Sequence, residues 1–425
     1  MKRLFNKRGN ISVMGSILFS ALIVMVVVLV AAAKQTAGES YADAAFQLAG
    51  RSILSEYDNM LFREFGLIAF KGDEKKIEDD LQFYAGASLN SDLFIYIPFV
   101  ASTDNITFFD IETTFNANLK EFSLGNLEVF QDQVKNAIGK NVHKVIGSEA
   151  TDNDYVIRDM EEGDSPNDRT LRNESVIESL PSYDFDTSFT LPSFKNIRIP
   201  SIEDITDATS DKFFASEYIM AFFSHANDNK YPKDRFFDNE IEYILAGEMN
   251  DKKNYKEVKG LIRIIRVASN SIALLSDRDK RNRIRAIVNA APHPALKGIF
   301  AATLPTAWII AETKNDMKRI EAGEKVPFIK SKDQWATDNI EEISEGFSSE
   351  EIVHPENLSG QDYREYLRLL VYLHDKEKLM VRTMDLIQIH MIHTYNRNFL
   401  LRDYYAGFRF EATMKGKKYA YLQKY

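Results

Sequence analysis

The feature that most constrains this chain is an apolar run near its N-terminus. From Ile11 to Ala33 the sequence ISVMGSILFSALIVMVVVLVAAA contains no charged residue over 23 positions. A bilayer core of about 30 Å needs roughly 20 apolar residues, because a helix rises about 1.5 Å per residue. The run therefore predicts a transmembrane helix.

The charges on either side of this run predict its orientation. No acidic residue occurs before Glu39, whereas four basic residues precede the run: Lys2, Arg3, Lys7 and Arg8. Because basic flanks stay in the cytoplasm, we expect a single-pass cell-membrane protein with a cytoplasmic N-terminus and the bulk of the chain extracytoplasmic. Two alternatives stay open, a buried core helix and a signal peptide cleaved near Ala31–Ala33, although a signal peptide's apolar region is typically about 7–15 residues.

Small residues share one side of the predicted transmembrane helix. Ser12, Ser16 and Ser20 follow one another at intervals of four, with Gly15 beside them. Small side chains at this spacing let a second membrane helix approach closely. Ser12, Gly15, Ser16 and Ser20 are therefore candidate helix-packing residues, and the alternative is that small residues are simply common in membrane helices.

The helix is predicted to continue beyond the membrane, over residues 34–66. This extension has no proline, and its apolar residues recur at roughly helical spacing: Phe46, Ile53, Tyr57, Leu61 and Phe65. Gly66 is a candidate C-terminal cap. A helix that is apolar in its first half and amphipathic in its second is how pilins and pseudopilins are built.

The chain as a whole is predicted to have a helix-rich α+β fold. We divide it into a cytoplasmic basic tail (1–10), a transmembrane helix (11–33), the helix extension (34–66), an α/β region (67–146), an acidic flexible linker (147–190) and a helix-rich exterior domain with a C-terminal β-hairpin (191–425).

Local patterns predict the finer elements. Runs rich in β-branched and aromatic residues predict strands at 93–100, 106–111 and 240–245. Helical periodicity predicts helices at 73–87, 127–145, 212–225, 255–275, 277–291, 305–321, 362–374 and 377–393. In the helix 255–275 the residues expected to face a core are Leu261, Ile264, Ile265, Ala268 and Ile272. Alternation on both sides of the Lys415–Lys417 turn predicts the terminal hairpin.

Composition excludes several classes of function. The net charge is −10 and the pI about 5.4, so the chain as a whole lacks the basic footprint of a nucleic-acid-binding protein. It has no cysteine, which excludes disulfides, thiolate catalysis and Cys-ligated metals. The acidic linker could bind a cation, but Asp152 and Asp154 only begin the spacing that a calcium loop requires, so a solvated linker is the preferred interpretation.

Two histidines are candidates for a metal site. His390 and His393 lie three residues apart on a predicted helix. A zinc protease motif would need H-E-x-x-H, with the glutamate as base, and the segment HMIH lacks it. We interpret the two residues as an ordinary core or surface pair and predict no metal site.

Two carboxylates on one predicted helix are candidates for a catalytic pair. Glu312 and Asp316 share a face with Trp308, but salt bridges to Lys314 or to the segment Arg278–Arg285 explain them more simply. Nucleotide-binding loops, dinucleotide fingerprints and serine-hydrolase motifs do not occur in the sequence. We therefore predict no enzymatic activity, no cofactor and no small-molecule substrate.

Eight segments, in order along the chain, carry a family resemblance. They are RGNISV (8–13), SEYDNMLFREFGLIAF (55–70), LEVFQDQV (127–134), EIEYILAGEMNDKKN (240–254), AWIIAETKNDM (307–317), GEKVPFIKSKDQW (323–335), YREYLRLL (363–370) and LMVRTMDLIQ (379–388). Together they resemble an uncharacterised family of Gram-positive single-pass membrane proteins. That family is associated with tight-adherence (Tad, Flp-type) pilus loci and is grouped with the TadE/TadG-like minor pilins.

The resemblance implies a non-enzymatic role in building or anchoring a pilus. The expected partners are the lipid bilayer and other pilus-system membrane proteins or pilins. One position departs from the pilin pattern. Prepilin processing would cut after a glycine such as Gly9, and minor pilins typically carry glutamate five residues later, where this chain has Met14. This departure argues against prepilin processing and against recruitment through that glutamate.

A second hypothesis is a membrane-tethered extracytoplasmic protein that binds cell-wall or host ligands. Its sign would be an exposed aromatic cleft, for which Trp335, Tyr404 and Tyr405 are the candidates.

Overall fold

The computed structural model describes residues 7–89, 113–147, 169–183, 185, 207–226, 235–337 and 351–425. The helices are α1 Lys7–Leu54, α2 Asn59–Phe65, α3 Glu74–Leu89, α4 Leu127–Gly147, α5 Glu174–Ser179, α6 Asp207–Phe222, α7 Glu240–Ala246, α8 Asp251–Ser276, α9 Arg278–Ala290, α10 Pro294–Glu321, α11 Tyr363–Leu373 and α12 Lys376–Thr394. The strands are β1 Phe70–Lys71, β2 Thr113–Asn118, β3 Tyr404–Tyr405, β4 Gly407–Met414 and β5 Lys417–Lys424. The helix-rich α+β class is therefore confirmed.

The chain forms two compact units, each assembled from separate stretches of sequence. Unit 1 consists of Met1–Phe62, Ile68–Asn126 and Arg402–Tyr425. Unit 2 consists of Arg63–Leu67 and Leu127–Leu401.

The second half of α1 forms the centre of unit 1. Its buried residues recur at helical spacing, so one face of the helix is covered: Ala42, Ala45, Phe46, Ala49 and Ile53. That face packs on α3 and on the sheet, where it meets Leu81, Phe408 and Phe410 in one core. Burial of the Phe46 side chain contributes about 1.5–3 kcal/mol.

A three-stranded antiparallel sheet of order β2-β4-β5 covers this helix. Alternate residues of β4 point into the core, as the pleat of a half-buried strand requires: Phe408, Phe410, Ala412 and Met414. The turn between β4 and β5 has positive φ at both Lys415 (49°) and Gly416 (80°), which is the geometry of a type I′ hairpin. The predicted hairpin is confirmed.

The prediction of one helix up to Gly66 is wrong. α1 ends at Leu54 and a second helix, α2, begins at Asn59. The carboxylate of Asp58 accepts the backbone N–H groups of Met60 and Leu61, each at 2.9 Å. This cap satisfies donors that a helix start leaves open, so the chain restarts there instead of continuing α1.

Unit 2 consists of packed helices, and its most enclosed element is α7. Every residue from Glu240 to Leu245 is buried, and α7 packs against α8, α11 and α12. The prediction of a strand at 240–245 is therefore wrong. Glu240 and Glu242 alternate with apolar residues, and this alternation is typical of a strand with one polar face. In the structure both acids are buried, because the helix is covered on all sides.

Two further helix predictions need correction. On α8 the buried face includes Val258, Ile262 and Arg266. Of the residues expected to face a core, Ile265 is buried, whereas Ile264 and Ile272 are 49% and 55% exposed, so the predicted face was only partly correct. The helix predicted to start at Pro305 starts at Pro294 and carries Pro305 in its interior. Proline is favoured in a first turn, and of the two prolines only Pro294 occupies that position.

The other predicted helices are confirmed, with ends shifted by a few residues: 73–87, 127–145, 212–225, 255–275, 277–291, 362–374 and 377–393. The predicted strands at 93–100 and 106–111 lie outside the described residues, as does most of the predicted acidic linker. Within that linker, residues 169–183 include buried Leu171 and Leu180.

Candidate functional site

The first half of α1 is an apolar helix without a covering. Residues 12–33 are all exposed, and they form a window long and apolar enough to cross a membrane, with none of it buried. A helix that is apolar on all sides requires lipid or other apolar helices around it. This segment is therefore the part of unit 1 equipped for membrane anchoring, and a signal sequence would pass the same test.

The four candidate packing residues lie together on this uncovered helix. Ser12, Gly15, Ser16 and Ser20 are all exposed. A Cβ atom added to Gly15 would have no neighbour within 4 Å, and the Ser16 hydroxyl donates to the backbone oxygen of Val13 at 2.9 Å. Because the hydroxyl of Ser16 is satisfied inside its own helix, the stripe presents a shallow surface on which another helix can lie.

The residues that were predicted to set the orientation are only partly described. Lys7 and Arg8 begin α1, and Lys2 and Arg3 lie outside the described residues. The cytoplasmic position of the N-terminus stays a prediction.

Polar contacts attach the second half of α1 to unit 1. The ammonium group of Lys417 lies 2.7 Å from the Glu39 carboxylate, and the hydroxyl of Tyr421 donates to Asp43 at 2.6 Å. Further along, the hydroxyl of Tyr425 donates to the backbone oxygen of Leu54. Because α1 is one continuous helix, these contacts couple its exposed half to the sheet.

Unit 2 contains a buried ionic cluster centred on Asp316. Its carboxylate accepts from Arg266 Nε at 3.1 Å and Nη2 at 2.8 Å, from Asn270 Nδ2 at 2.9 Å and from Lys330 Nζ at 2.5 Å. Burial raises the pKa of Asp316, but the charges of Arg266 and Lys330 outweigh burial and hold the pKa below its ordinary value.

Glu312 is saturated with donors in the same way. It accepts from the ammonium group of Lys330, from the backbone N–H of Ala336 at 3.0 Å, and from Thr337 N and Oγ1 at 2.7 and 2.6 Å. The partners expected from sequence, Lys314 and Arg278–Arg285, are therefore wrong. With every oxygen engaged, the carboxylates of Glu312 and Asp316 tie the segment 327–337 to α8 and α10.

Sequence reasoning missed Arg266 and Lys330, the two basic members of this cluster. A signal for Arg266 exists, because it falls four residues after Ile262 and eight after Val258 on the buried face of α8. Lys330 lies in the irregular segment after α10, where helical periodicity carries no information about burial.

A second group of buried acids surrounds α7. Asp251 accepts the backbone N–H groups of Asp238 and Asn239 at 3.0 and 3.1 Å, and Asp385 accepts from Ser182 N at 2.9 Å and Tyr243 OH at 3.1 Å. Burial raises the pKa of Asp251 to about 7 and that of Asp385 to about 6. These groups make the stability of unit 2 depend on pH near neutrality.

The two histidines of α12 pack as aromatic rings. His390 is buried and contacts Phe65 and Tyr395, with ring centroids at 5.4 and 5.7 Å. His393 contacts the ring of Phe236 at 5.3 Å. In the described part of the chain, three or more His, Asp or Glu residues suited to hold a metal are nowhere grouped together.

The aromatic residues proposed for an exposed cleft are not exposed. Trp335 is 5% and Tyr404 3% exposed, and Tyr405 is half-buried against Phe70. The exposed aromatic cleft suggested from sequence is therefore a wrong prediction for these residues. The Trp335 ring packs on Trp308 and the Tyr405 ring on Phe70, each within its own unit.

A cleft of about 260 Å³ opens beside Trp335, which is one of its lining residues. Its basic lining residues are Lys280, Lys330 and Lys332. Lys332 pairs with Asp279 and Lys330 with Glu312, whereas the ammonium group of Lys280 lies 5.0 Å from the Trp335 ring centroid, a cation–π distance.

These features define a helix-rich protein with a membrane-compatible N-terminal helix attached to a small antiparallel sheet and a separate helical unit held by buried ion pairs. The chain belongs to a family of unknown function (DUF5702), whose model matches residues 160–416, well over half of the sequence. No curated protein and no solved structure matches it.

Proposed function

We propose that this protein is a membrane-anchored structural or assembly component of a tight-adherence, type IV-like pilus system. It acts through helix packing in the membrane and through protein–protein contacts outside. The observation that carries the proposal is the construction of α1, one helix whose exposed apolar half continues into a half packed under an antiparallel sheet. Pilins and pseudopilins have a long N-terminal helix of this kind, with an apolar half that holds the subunit in the membrane and a second half that packs on the rest of the subunit.

The exposed half of α1 supports lateral association. An apolar helix in lipid gains little from hydrophobicity when it meets another helix, so close packing of small residues has to supply the contact. The stripe of Ser12, Gly15, Ser16 and Ser20 has the spacing for that contact. The ordered resemblance of eight segments to a pilus-associated family supports the same conclusion.

Fractionation of surface filaments tests the proposal. A tag inserted between Lys415 and Gly416 would sit in an exposed turn, away from the contact of Tyr425 with α1. Filaments are sheared from cells with and without the pilus motor, and the sheared and membrane fractions are blotted. Motor-dependent tag in the filaments identifies a subunit. Tag confined to membranes, together with loss of filaments when the gene is deleted, identifies an assembly factor. The proposal would be overturned if deleting the gene for this protein left the filaments unchanged and deleting the pilus genes left the membrane level of this protein unchanged.

The cleft beside Trp335 favours one alternative, a membrane-tethered binding protein for cell-wall or host ligands. The chain has two tryptophans, and their rings pack edge to face at 5.8 Å, so tryptophan emission reports directly on this cleft. Titration with purified wall fragments should change the emission of the wild type, and Trp335→Phe should lose the change. An unaltered spectrum at saturating fragments would reject this alternative.

A further inference from the structure

The start of α10 is a helix with apolar residues and no covering. Residues 292–299 are all exposed, with Leu296 at 37% and Ile299 at 53%. A Cβ atom added to Gly298 would meet nothing within 4 Å. A helix with apolar residues in such a position normally lies against something, so this tip requires an occupant.

The stem of the same hairpin has a core of its own. Ile284 of α9 and Trp308 of α10 belong to one buried cluster, with Ile287 and Val288 of α9 packed against it. The hairpin is therefore fixed at its base, and at its tip, residues 290–303, every residue except buried Ala291 and half-buried Phe300 is exposed.

Charge identifies the occupant. From Lys280 to Ala311 the sequence has no Asp or Glu over 32 residues, although the whole chain has 63 acids and a net charge of −10. The exposed basic residues of this acid-free stretch are Arg281, Arg283, Arg285 and Lys297. An apolar tip that carries Lys297 and is flanked by three exposed arginines of α9 is complementary to a surface that is itself anionic and apolar. A bilayer with anionic headgroups has both properties.

The spacing of these residues fits a shallow insertion. Arg285 and Arg281 precede Pro292 at the tip by 7 and 11 residues, which corresponds to about 10 and 16 Å along a helix. An interfacial helix enters the boundary of headgroups and acyl chains by about 5–10 Å. Leu296, four residues beyond Pro292, would then reach the acyl boundary while Arg281 stays among the phosphates. Ile299, seven residues beyond Pro292 and level with Arg285, would lie where headgroups meet acyl chains, and Lys297 can extend its ammonium group to the headgroups.

A second membrane-spanning helix is the wrong interpretation of this apolar segment. α10 is long and apolar enough to cross a membrane by length and composition. Its second half, however, buries Glu312, Asp316 and Arg319 in unit 2, and ion-paired residues of this kind are not released into lipid.

We propose that the tip of the α9–α10 hairpin is a second membrane contact, which inserts Leu296 and Ile299 at the surface of an anionic bilayer. This contact goes beyond the proposed role in a pilus and does not depend on it. Because α1 is equipped to hold the chain at a membrane, the hairpin needs only weak intrinsic affinity, since tethering raises its effective concentration at the surface.

A single-cysteine label in the full chain tests the proposal. The chain has no cysteine, so Ile299→Cys carries the only dye. The protein is reconstituted into vesicles of equal parts phosphatidylglycerol and phosphatidylcholine, and into vesicles of phosphatidylcholine alone. The matched control is Leu358→Cys, because Leu358 has the same 53% exposure as Ile299 and lies outside the hairpin.

We expect the dye at position 299 to be shielded from a neutral aqueous quencher, and reached by a lipid-borne quencher, only in phosphatidylglycerol vesicles. Adding Arg281→Gln and Arg285→Gln should lower the bound-to-free ratio roughly 30-fold, and the dye at position 358 should stay accessible to water throughout. A water-accessible dye at position 299 would overturn the proposal. Shielding of the dye that is the same with and without phosphatidylglycerol would also overturn it. Shielding that increases with protein density would overturn it in favour of contact with a second copy of the chain.

Discussion

Arg266 and Asp316 form a buried ion pair in which Nε and Nη2 of the guanidinium both donate to one carboxylate oxygen, Oδ2, at 3.1 and 2.8 Å. Both side chains are completely buried. Arg266 also donates to Asn270 at 2.9 Å and to the backbone oxygen of Pro327 at 2.5 Å. One guanidinium thus joins α8, α10 and the segment that follows α10.

Loss of this guanidinium should destabilise unit 2. Arg266→Met leaves Asp316 with one fewer cation in a buried site, and breaking such a pair costs about 3–5 kcal/mol. Denaturant unfolding of the detergent-solubilised full chain measures the loss. Arg263→Met is the matched control, because Arg263 is exposed on the same helix, and it should change stability by less than about 0.5 kcal/mol. Equal stability of the two variants would contradict the role given to Arg266.

Alanine substitutions at two glycines distinguish the cost of a strained backbone conformation from the cost of steric crowding. Gly247 and Gly323 have nearly the same φ, 79° and 80°. A Cβ atom at Gly247 would lie 2.7 Å from the guanidinium carbon of Arg382, whereas at Gly323 it would meet nothing within 4 Å. Alanine at either position should cost about 1 kcal/mol for the left-handed conformation.

Gly247→Ala should cost about 1–3 kcal/mol more than Gly323→Ala. It displaces Arg382, which donates to the backbone oxygens of Ile244 and Leu245 at 3.0 and 2.6 Å, and buried acceptors without a donor are costly. Thermal unfolding of both variants under identical conditions gives the difference. If the two alanine variants melt together, the close approach of Arg382 contributes nothing.

Asp251 should make stability fall as the pH rises towards neutrality. Burial raises its folded-state pKa to about 7, above the unfolded value of about 3.9. Between these values the native state binds a proton that the unfolded state has released. The resulting stabilisation is complete below about pH 4 and is lost as the pH rises through 7.

Asp251→Asn should remove this dependence. The variant loses stability relative to the wild type, because an amide oxygen is a poorer partner for two backbone N–H groups. We expect the difference in unfolding free energy to shrink by about 2–3 kcal/mol from pH 5 to pH 8. Denaturation series at both pH values measure it, and Glu257→Gln, an exposed carboxylate on the same helix, should give a constant difference. A constant difference for Asp251→Asn would show that its carboxyl does not titrate in this range.

Ser16→Leu tests the packing stripe of α1. A bulky side chain there should keep a second helix away and reduce filament assembly roughly fivefold or more, while membrane insertion stays normal because leucine is apolar. Leu18→Phe adds bulk on the opposite side of the helix and should leave assembly intact. Filament yield is compared at matched levels of membrane protein. Full piliation with Ser16→Leu would mean that the stripe is not a contact.

The elements that sequence predicted correctly are those whose signals are local. The hairpin follows from alternation and a two-residue turn, and the apolar half of α1 follows from its uninterrupted composition. α7 failed because its acids are buried by partners far along the chain, as with Glu242, which accepts from the hydroxyl of Tyr363 at 2.7 Å.

Only the two acids of the ionic cluster could be predicted from sequence, because their basic partners also lie elsewhere along the chain. The spacing of Glu312 and Asp316 places both on one helix face, and that was correct. Their partners come from another helix and from an irregular segment, and an arginine on a helix is solvated far more often than buried. The end of α1 is a different case, because Asp58 carried a readable capping signal that was overridden by the apolar periodicity on both sides of it.

Unit 1 is assembled from separate stretches of sequence, and this has a consequence for the order in which it forms during synthesis. α1 leaves the ribosome before unit 2, yet two of the three strands in the sheet that packs on it come from residues 407–424, after all of unit 2. Until those strands are synthesised, the amphipathic half of α1 lacks the part of its apolar covering that Phe408 and Phe410 supply. A nascent chain stalled before residue 407 would therefore be a substrate for chaperones and quality-control proteases, even with every helix of unit 2 already synthesised.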